Sequence, residues 1–366
     1  MILKDICKIN SGKSIKACLI CDKDINHNIP CFGGNGLRGF VSSPNQVGGN
    51  PIIGRVGAQC GNIHYCDEPF YATEHALVVT LKDDNVNPQW LCRKFESMKL
   101  GTYAEGAAQP VIAASKLLQL EIAIPPLSEQ QSIVDYLDSA FAKIDAMKAN
   151  AEKALNEAKA LFQASLKEML EPKEGWEEKK LEDITEVKDG THDSPKYVTE
   201  GIPFVTQKNI TISGFDLLNT KKISLEDHKK FYTRSNVEFG DIIIAMIGAN
   251  RGMSCIVDTR EIFSIKNVGL IKKNDNINMR YLLFYLHSPS ANTYILNNSN
   301  GGAQEFIGLK GLRTFPIPYP PLSEQQSIVA TLDSLKSKVD HLKANYDKIS
   351  QECDALKQAI LRQVFE

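Results

Sequence analysis

An internal repeat constrains this 366-residue chain more than any other feature of its sequence. The ten residues PPLSEQQSIV occupy positions 125–134 and recur unchanged at positions 320–329. Ten identities in a row are not a chance event, so the chain is predicted to contain two copies of one structural unit. Weaker similarity surrounds the repeat and pairs LKDICKINSG with LEDITEVKDG (3–12, 181–190), GAQCG with GANRG (57–61, 248–252) and NPQWL with NMRYL (87–91, 278–282).

The segment that follows each copy of the repeat is predicted to be one long helix. Ser128 with Gln131, and Ser323 with Gln326, have the spacing of a capping box, and the prolines before them stop a helix from beginning earlier. After the first copy neither Gly nor Pro occurs until Pro172, and after the second copy neither occurs again. Both helices should therefore be uninterrupted.

Apolar residues repeat along both helices in alternating steps of four and three, which is typical of a coiled-coil seam. The seam of the second helix runs from Ile328 to Val364, and the same register in the first helix runs from Ile133 to Met169 with several alanines. A seam of small residues suits a bulkier partner, so we predict that the two helices pack against each other, antiparallel and with a pseudo-two-fold relation. The alternative is that each helix lies on its own globular region.

Four regions follow from this pattern: globular residues 1–125, helical residues 126–172, globular residues 173–320 and helical residues 321–366. Both globular regions contain short β-branched runs such as ALVVTL (76–81) and DIIIAMIG (241–248), which predict strands between turns. The predicted fold class is α+β, with two globular mixed α/β domains, each followed by a long helix, and with the helices paired as an antiparallel coiled coil.

Composition and charge exclude several classes of protein. A chain that is 43% hydrophobic and 23% charged is typical of a globular protein, and no run reaches the ~18 apolar residues of a membrane span. The start lacks the apolar core of a signal peptide, so a cytoplasmic protein whose nine cysteines are reduced is expected. Each globular region has a net charge of +1 and the helical regions have −3 and −1, so nucleic-acid contacts would need local basic clusters.

The repeated P-P-L-x-E-Q-x-x-I-V pattern at the head of a heptad helix resembles the DNA-specificity subunits of type I restriction-modification systems, over the whole chain. The runs DGTHDSPKY, GIPFVTQKNI and GDIIIAMIGANRG (189–197, 201–210, 240–252) are similar to a common variety of target-recognition domain. The first globular region lacks counterparts of Gly175-Trp176 and of the DGTH run. The resemblance implies that residues 1–125 and 173–320 are two target-recognition domains that recognise an asymmetric, bipartite DNA site.

The resemblance also implies a non-catalytic subunit with several partners. These are double-stranded DNA, two methyltransferase subunits that use S-adenosylmethionine to modify adenine, and restriction/translocase subunits that use ATP and Mg²⁺. No cofactor is expected in this chain, and no membrane. Because two identical segments offer the same surface twice, the partner-binding residues are predicted to lie there: Pro126, Leu127, Glu129, Gln130, Pro321, Leu322, Glu324 and Gln325.

Loops that combine Gly with basic, amide or hydroxyl side chains are the candidates for DNA contact. Arginine suits guanine, Asn and Gln suit adenine, and glycine lets the backbone approach the duplex. The candidates in the first region are Asn35, Arg38, Arg55, Gln59 and Asn62, and those in the second are Thr191, His192, Ser194, Lys196, Lys208, Asn209, Asn250 and Arg251. The alternative for each is a hairpin turn with a solvated polar tip.

Other functions find less support in the sequence. Asn87-Pro88-Gln89-Trp90 resembles the adenine-gripping loop of a DNA methyltransferase, but its second proline is missing and no Gly-rich cofactor loop follows a strand. Cys18 and Cys21 form a C-x-x-C motif that lacks a clean second pair, so structural thiols are favoured over zinc. The histidines form no nucleophilic grouping. The remaining rival is a coiled-coil scaffold with two domains that bind a ligand other than DNA.

Overall fold

The computed structural model describes residues 1–106, 109–211, 214–300 and 305–366. It divides the chain into two compact units, the first of residues 1–152 with 346–366 and the second of residues 153–345. Each unit therefore combines one globular region with part of both long helices.

The first unit contains seven strands and three short helices among its described residues, besides the long helices. In chain order these are α1 (Leu3–Ile6), β1 (Cys7–Ser11), β2 (Ile29–Gly33), β3 (Gly36–Val41), β4 (Asn50–Gly54), β5 (Ile63–Cys66), β6 (Tyr71–Ala72), β7 (Ala76–Leu81), α2 (Pro88–Ser97) and α3 (Ala114–Leu117). An antiparallel sheet has the order β1-β7-β4-β5, and a second sheet has the order β3-β2-β6.

The long helix α4 (Leu127–Leu170) then leads to the elements of the second unit and to the second long helix, both long helices being divided between the two units. These are β8 (Glu177–Lys180), α5 (Leu181–Ile184), β9 (Val187–Asp189), β10 (Ile202–Thr206), β11 (Ile210–Thr211), β12 (Gly214–Phe215), β13 (Lys221–Ile223), α6 (Leu225–Ser235), β14 (Ile242–Ala245), β15 (Ser254–Ile256), β16 (Ser264–Lys266), β17 (Val268–Ile271), α7 (Met279–Leu286), α8 (Pro289–Asn297), β18 (Ser299–Asn300), β19 (Phe306–Ile307), α9 (Leu309–Arg313), β20 (Pro316–Tyr319) and α10 (Leu322–Phe365).

The second unit repeats the sheet topology of the first. Its four-stranded antiparallel sheet has the order β9-β17-β14-β15, and its three-stranded sheet has the order β13-β10-β16. In both three-stranded sheets the central strand pairs antiparallel with one neighbour and parallel with the other. The weak similarity between the two globular regions therefore reflects one framework used twice.

Runs of apolar residues form the cores of both units. All four residues of β14 and of β17 are buried, because apolar side chains occupy both faces of these central strands. In the first unit Trp90, Leu91 and Phe95 of α2 are buried in the core that contains β1 and β7. Trp90 is 1% exposed, so this helix is one of the main contributors to the core.

Both long helices have 44 residues, and each begins one residue before the predicted cap. Ser128 consequently lies inside the first turn, and the Gln131 amide accepts a hydrogen bond from Asn87 Nδ2 (2.9 Å) instead of closing a capping box. The prediction of two uninterrupted helices is confirmed, but the capping-box prediction at the first of them is wrong. The helix start is held instead by side chains of the preceding globular region.

Within the first unit the two long helices pack antiparallel. Cys353 Sγ lies 3.8 Å from the Ile144 carbonyl, Lys357 Nζ is 2.5 Å from Asp145 Oδ1, and Lys148 pairs with Asp354 at 3.4 Å. Positions later in α4 thus face positions earlier in α10, as the predicted antiparallel coiled coil requires.

The predicted seam of α4 is wrong at three positions, Met147, Ala154 and Leu161, which are exposed. The other predicted positions are buried or half-buried, and Ile133 and Ala140 pack against the core between the helices. Five residues outside the prediction also turn inward: Phe141, Lys148, Leu155, Phe162 and Leu166. Alternating steps of three and four residues fit two heptad registers along this helix, and the two registers have every second position in common. The register that includes Phe141, Leu155 and Phe162 buries more apolar area than the predicted one. The inward face is therefore bulky, contrary to the prediction of a seam of small residues.

Candidate nucleic-acid interface

The candidate residues that follow β2 and β10 lie at the same place in the two copies of the framework. Strand β2 runs parallel to β6, and β10 runs parallel to β16, so the loops after each pair leave from one edge of the sheet. We call this the parallel-strand edge: residues 34–38 and 73–75 in the first unit, and residues 207–209 and 266–267 in the second. We include the neighbouring residues from the four-stranded sheets, 55–62 after β4 and 247 after β14.

In the first unit two loops that carry all five candidates meet at Gly54. A Cβ on Gly54 would lie 2.3 Å from the Gly34 carbonyl oxygen and 2.9 Å from that of Gln59, so only glycine permits this approach. The first loop leads from Asn35 to Arg38, both exposed. The arrangement confines these side chains to one small surface.

The second loop of this edge runs from Arg55 to Asn62. Arg55 is half-buried, and its backbone N–H donates to the His75 carbonyl (2.9 Å), which joins the loop that follows β6. Gln59 and Asn62 are exposed and hydrogen-bonded to each other at 2.8 Å. Their remaining amide groups face solvent, where they can contact a ligand.

His64 supports the same edge and was missed in the sequence. Its ring lies against Gly36, where a Cβ would be 2.7 Å from Cε1, and Gly36 has a φ of +92°. Burial lowers the pKa of His64, so the ring is neutral at pH 7. A single histidine in a strand gives no sequence signal for this role, because only the paired strands bring it under the turn.

The DGTH segment of the second unit is a structural network. Asp189 is buried, accepts hydrogen bonds from the Arg234 guanidinium (2.8 and 3.0 Å to Nη2), and contacts His192 Nε2 at 3.0 Å. Thr191 is buried, and its hydroxyl accepts from the Asp193 N–H. The Thr191 hydroxyl therefore stabilises the turn, and its contact with DNA stays a prediction.

The rest of this segment is exposed but tied to neighbouring elements. Lys230 hydrogen-bonds Asp193 and holds the pKa of that carboxyl below its usual range. His192 Nδ1 lies 2.8 Å from Asn267 Oδ1, and Ser194 Oγ accepts from Lys266 Nζ at 2.7 Å. His192 and Ser194 therefore lie beside the parallel-strand edge of this unit.

Two further candidates have internal partners that account for them. The Arg251 side chain is only 12% exposed; it pairs with Glu305 and donates to Ser299 Oγ and the Gly248 carbonyl. Asn209 Oδ1 accepts from the Thr206 N–H and hydroxyl and closes a short capping box. These groups stabilise their own loops, and direct base contact by Arg251 and Asn209 stays a prediction.

Lys196, Lys208 and Asn250 are exposed, as a DNA contact requires. Beside Lys208 the structure forms a cavity of about 410 Å³ that the sequence did not reveal. The described residues that line it are Tyr197, Phe204, Thr206, Gln207, Lys208, Asn209, Asn219, Lys221, Ile247, Lys266 and Asn267. They come from distant parts of the chain, so no local spacing could predict them.

The repeated decapeptide has an internal role that the sequence did not indicate. Gln130 and Gln325 are fully buried. Gln130 Oε1 accepts from the Asn87 N–H (2.7 Å), and Gln325 Oε1 accepts from the Asn278 N–H (2.8 Å). Their amide nitrogens donate to the Pro125 and Pro320 carbonyls. These two glutamines therefore attach each long helix to its globular region, and their contact with a partner subunit stays a prediction.

The other predicted partner-contact residues are mostly accessible. Leu127 is 47% and Leu322 is 44% exposed. Pro126, Glu129 and Pro321 are exposed, whereas Glu324 accepts a hydrogen bond from Trp176 Nε1 at 3.1 Å.

Asn87 and Asn278, the anchor points of the two glutamines, also cap α2 and α7. Each side-chain oxygen accepts from two backbone N–H groups of the following helix. This capping accounts for the Asn-Pro pattern that resembles a methyltransferase loop.

Cys18 and Cys21 are not joined by further metal-binding side chains. Among the described residues no group of three or more His, Cys, Asp or Glu side chains could hold a metal ion. Burial raises the pKa of Cys7 to about 11, so this thiol is protonated at neutral pH.

Comparison with known proteins identifies the family. The family model for the type I restriction modification DNA specificity domain matches residues 1–157 and 173–351. The chain belongs to this family. The DNA-specificity role that the family resemblance implied is thus confirmed.

Several curated specificity subunits are similar to this family member. The EcoprrI subunit of Escherichia coli is 39% identical over 137 residues, which are 37% of this chain but only 34% of that protein. The EcoBI subunit of E. coli is 23% identical, with 86% of this chain and 72% of that protein covered. A putative subunit of Haemophilus influenzae is 25% identical over 90% of this chain and 84% of its own length.

Solved structures confirm the fold class. A chain from a study of complex assembly and conformational transition of the type I R-M system aligns with a TM-score of 0.74 at 18% identity, covering 100% of this chain and 97% of that one. The HsdS subunit from Thermoanaerobacter tengcongensis aligns with a TM-score of 0.58 at 18% identity, covering 100% and 95%. Within the described residues, no helix combines the length and the apolar character needed to cross a membrane.

Proposed function

We propose that this specificity subunit recognises a bipartite DNA sequence through its two parallel-strand edges, one in each unit. The observation that supports this most strongly is that both edges occupy one place in a duplicated framework but carry different side chains. The first has Asn35, Arg38 and Arg55, and the second has Lys208 with Lys266. Equivalent positions with unlike residues suit two ligands of one kind that differ in sequence.

The chemistry of the edges fits a duplex. Arginine and lysine neutralise backbone phosphates, and exposed amides such as Gln59 and Asn62 have the donor and acceptor pairs that recognise adenine. The role in DNA contact of the predicted residues that remain exposed stays a prediction.

We also infer that two copies of a methyltransferase subunit dock at the starts of α4 and α10. Leu127 and Leu322 head identical segments and are half exposed, so the same surface is present twice. In this proposal S-adenosylmethionine, ATP and Mg²⁺ belong to the methyltransferase and restriction subunits, and this chain performs no chemistry. The helices, of 44 residues each, act as the spacer that sets the gap between half-sites.

Exchange of one globular region tests the proposal. Residues 173–320 are replaced by the corresponding region of another specificity subunit, and the complex with its methyltransferase partner is tested by selection from randomised duplexes. We expect one half-site to change and the other to stay, because each unit has its own edge. Loss of both half-sites would show that the units do not recognise DNA independently.

The same complex separates this function from a scaffold for another ligand. In a gel-shift experiment it should retain duplexes with a gapped consensus in preference to shuffled ones. Equal retention of all sequences, or of none, would favour the scaffold.

A further inference from the structure

We propose that the cavity beside β10 is a binding site for one backbone phosphate of the second half-site. This inference rests on the proposed function and assigns a ligand to a cavity that the sequence did not predict. The cavity has a volume of about 410 Å³ and lies wholly within the second unit.

Three lysines surround the carboxyl end of the central strand β10. Lys221 is the pairing partner of Phe204 on one side, and Lys266 is that of Thr206 on the other. Lys208 lies two residues beyond the end of the strand. The sheet order β13-β10-β16 therefore gathers three ammonium groups, from positions far apart in the chain, around one cavity.

The positive charge of this cavity is not neutralised by the protein. None of its described lining residues is acidic, and the contacts of the cavity lysines among the described residues are with neutral groups. Lys266 Nζ is held by a neutral group, the Ser194 hydroxyl, and Lys221 Nζ lies 4.2 Å from the centre of the Tyr197 ring. Ordered ammonium groups without a counter-ion favour an anion.

A phosphate of the duplex fits this site better than a carboxylate or a sulfate-bearing ligand, because the chain belongs to a DNA-specificity family and the cavity adjoins the exposed Lys208. An oxygen of a phosphate accepts hydrogen bonds from several ammonium groups at once, and DNA presents phosphates at regular intervals along the groove. Polar groups that neighbour the lysines, such as Asn267, can complete the contacts.

Neutral phosphate scanning of the DNA tests the site. The complete complex with methyltransferase subunits is measured on duplexes in which one phosphate at a time in the second half-site is replaced by a methylphosphonate. With the unchanged protein we expect binding to weaken on the order of tenfold at one position, the loss typical of a charged hydrogen-bonded contact. In the variant K208Q/K221Q/K266Q that sensitivity should disappear, while sensitivities elsewhere persist.

Salt dependence gives a second readout. Loss of one neutralised phosphate should reduce the magnitude of the slope of log binding constant against log salt concentration by about 0.9. The matched control Lys229→Gln, an exposed lysine of α6 outside the cavity, should keep the original slope. The variant K208R/K221R/K266R should retain binding because it preserves the charge, which checks that the glutamine variant does not simply misfold.

The outcomes separate the site from the wider function. An identical methylphosphonate pattern in the unchanged and glutamine proteins would overturn the phosphate site. Binding of inorganic phosphate or AMP can also be compared between the unchanged and glutamine proteins. If the glutamine substitutions abolish that binding but leave all DNA contacts unchanged, the cavity binds a free anion and the proposal is overturned. If the unchanged complex bound no duplex selectively, the proposed function itself would fail.

Discussion

At the residue scale, two kinds of amide side chain have opposite roles in this subunit. Gln130 and Gln325 are fully buried and satisfied by backbone groups on both sides. Gln207 has a buried Oε1 without a described hydrogen-bond partner, at the cavity beside β10. The first kind stabilises the fold, whereas the second leaves a buried acceptor without a described protein partner beside the cavity.

Removal of a buried anchor should destabilise the second unit. In Gln325→Ala the Asn278 N–H and the Pro320 carbonyl lose their partners, and we expect the free energy of unfolding to fall by about 2 kcal/mol. Urea denaturation of the whole chain measures the change. Gln326→Ala, at the next and exposed position, is the control and should shift stability by less than about 0.5 kcal/mol. Equal effects of the two substitutions would contradict the anchoring role.

Replacement of the unsatisfied amide should alter sequence preference. Rotation of the half-buried Gln207 side chain would bring its amide to a base of the second half-site, so Gln207→Leu should reduce discrimination at one base pair by roughly 1–3 kcal/mol. Selection from a randomised second half-site measures this preference. The control Gln358→Leu, an exposed glutamine on α10, should leave it unchanged. An unaltered consensus in Gln207→Leu would exclude a role in base recognition.

At the scale of elements, the starts of α4 and α10 combine an anchor with an open surface. Val134 and Val329 are buried like the two glutamines, so their identity in the repeat follows from packing within each unit. Leu127 and Leu322 are identical although about half of each side chain is exposed. A shared partner explains these leucines better than internal packing does.

A charge at one exposed leucine should remove one partner. In Leu127→Asp we expect one of two methyltransferase subunits to bind on the order of tenfold more weakly, because a leucine contact of roughly 1.5 kcal/mol or more is lost. Leu127→Asp with Leu322→Asp should weaken both. Native mass spectrometry or sedimentation gives the stoichiometry, and Leu218→Asp, at an exposed leucine outside the helices, is the control. Full stoichiometry in the double variant would exclude this docking surface.

At the scale of the whole molecule, the proposal makes helix length the determinant of DNA spacing. One heptad spans about 10.5 Å of α-helix, and DNA rises 3.4 Å per base pair. Deletion of one heptad from both α4 and α10 should therefore shorten the preferred gap by about three base pairs, as measured by methylation of duplexes with gaps of graded length. Deletion of one heptad from only one of the two helices is the comparison, because it puts the contacts between α4 and α10 out of register. An unchanged gap in the double deletion would contradict a spacer role.

Local patterns in the sequence were sufficient for much of the fold. Proline before the helix and the lack of Gly and Pro within it predicted two uninterrupted helices, and runs such as DIIIAMIG predicted buried strands. The seam was misassigned because steps of three and four fit two registers. The choice between Ala140 and Phe141 depends on what the helix packs against, and Phe141 is the buried residue.

Ten consecutive identities and the residues around them are enough to recognise the duplicated framework and its family, because they require no knowledge of distant contacts. Which polar residues are free to bind a ligand depends on the folded chain. Gln325 and Gln326 look alike in the chain, yet one is buried against Asn278 and the other faces solvent. Likewise one cavity is lined by Lys208, Lys221 and Lys266 only because β10 pairs with one strand on each side. Strand pairing between distant segments depends on cross-strand contacts, so the spacing of residues along the chain does not predict it.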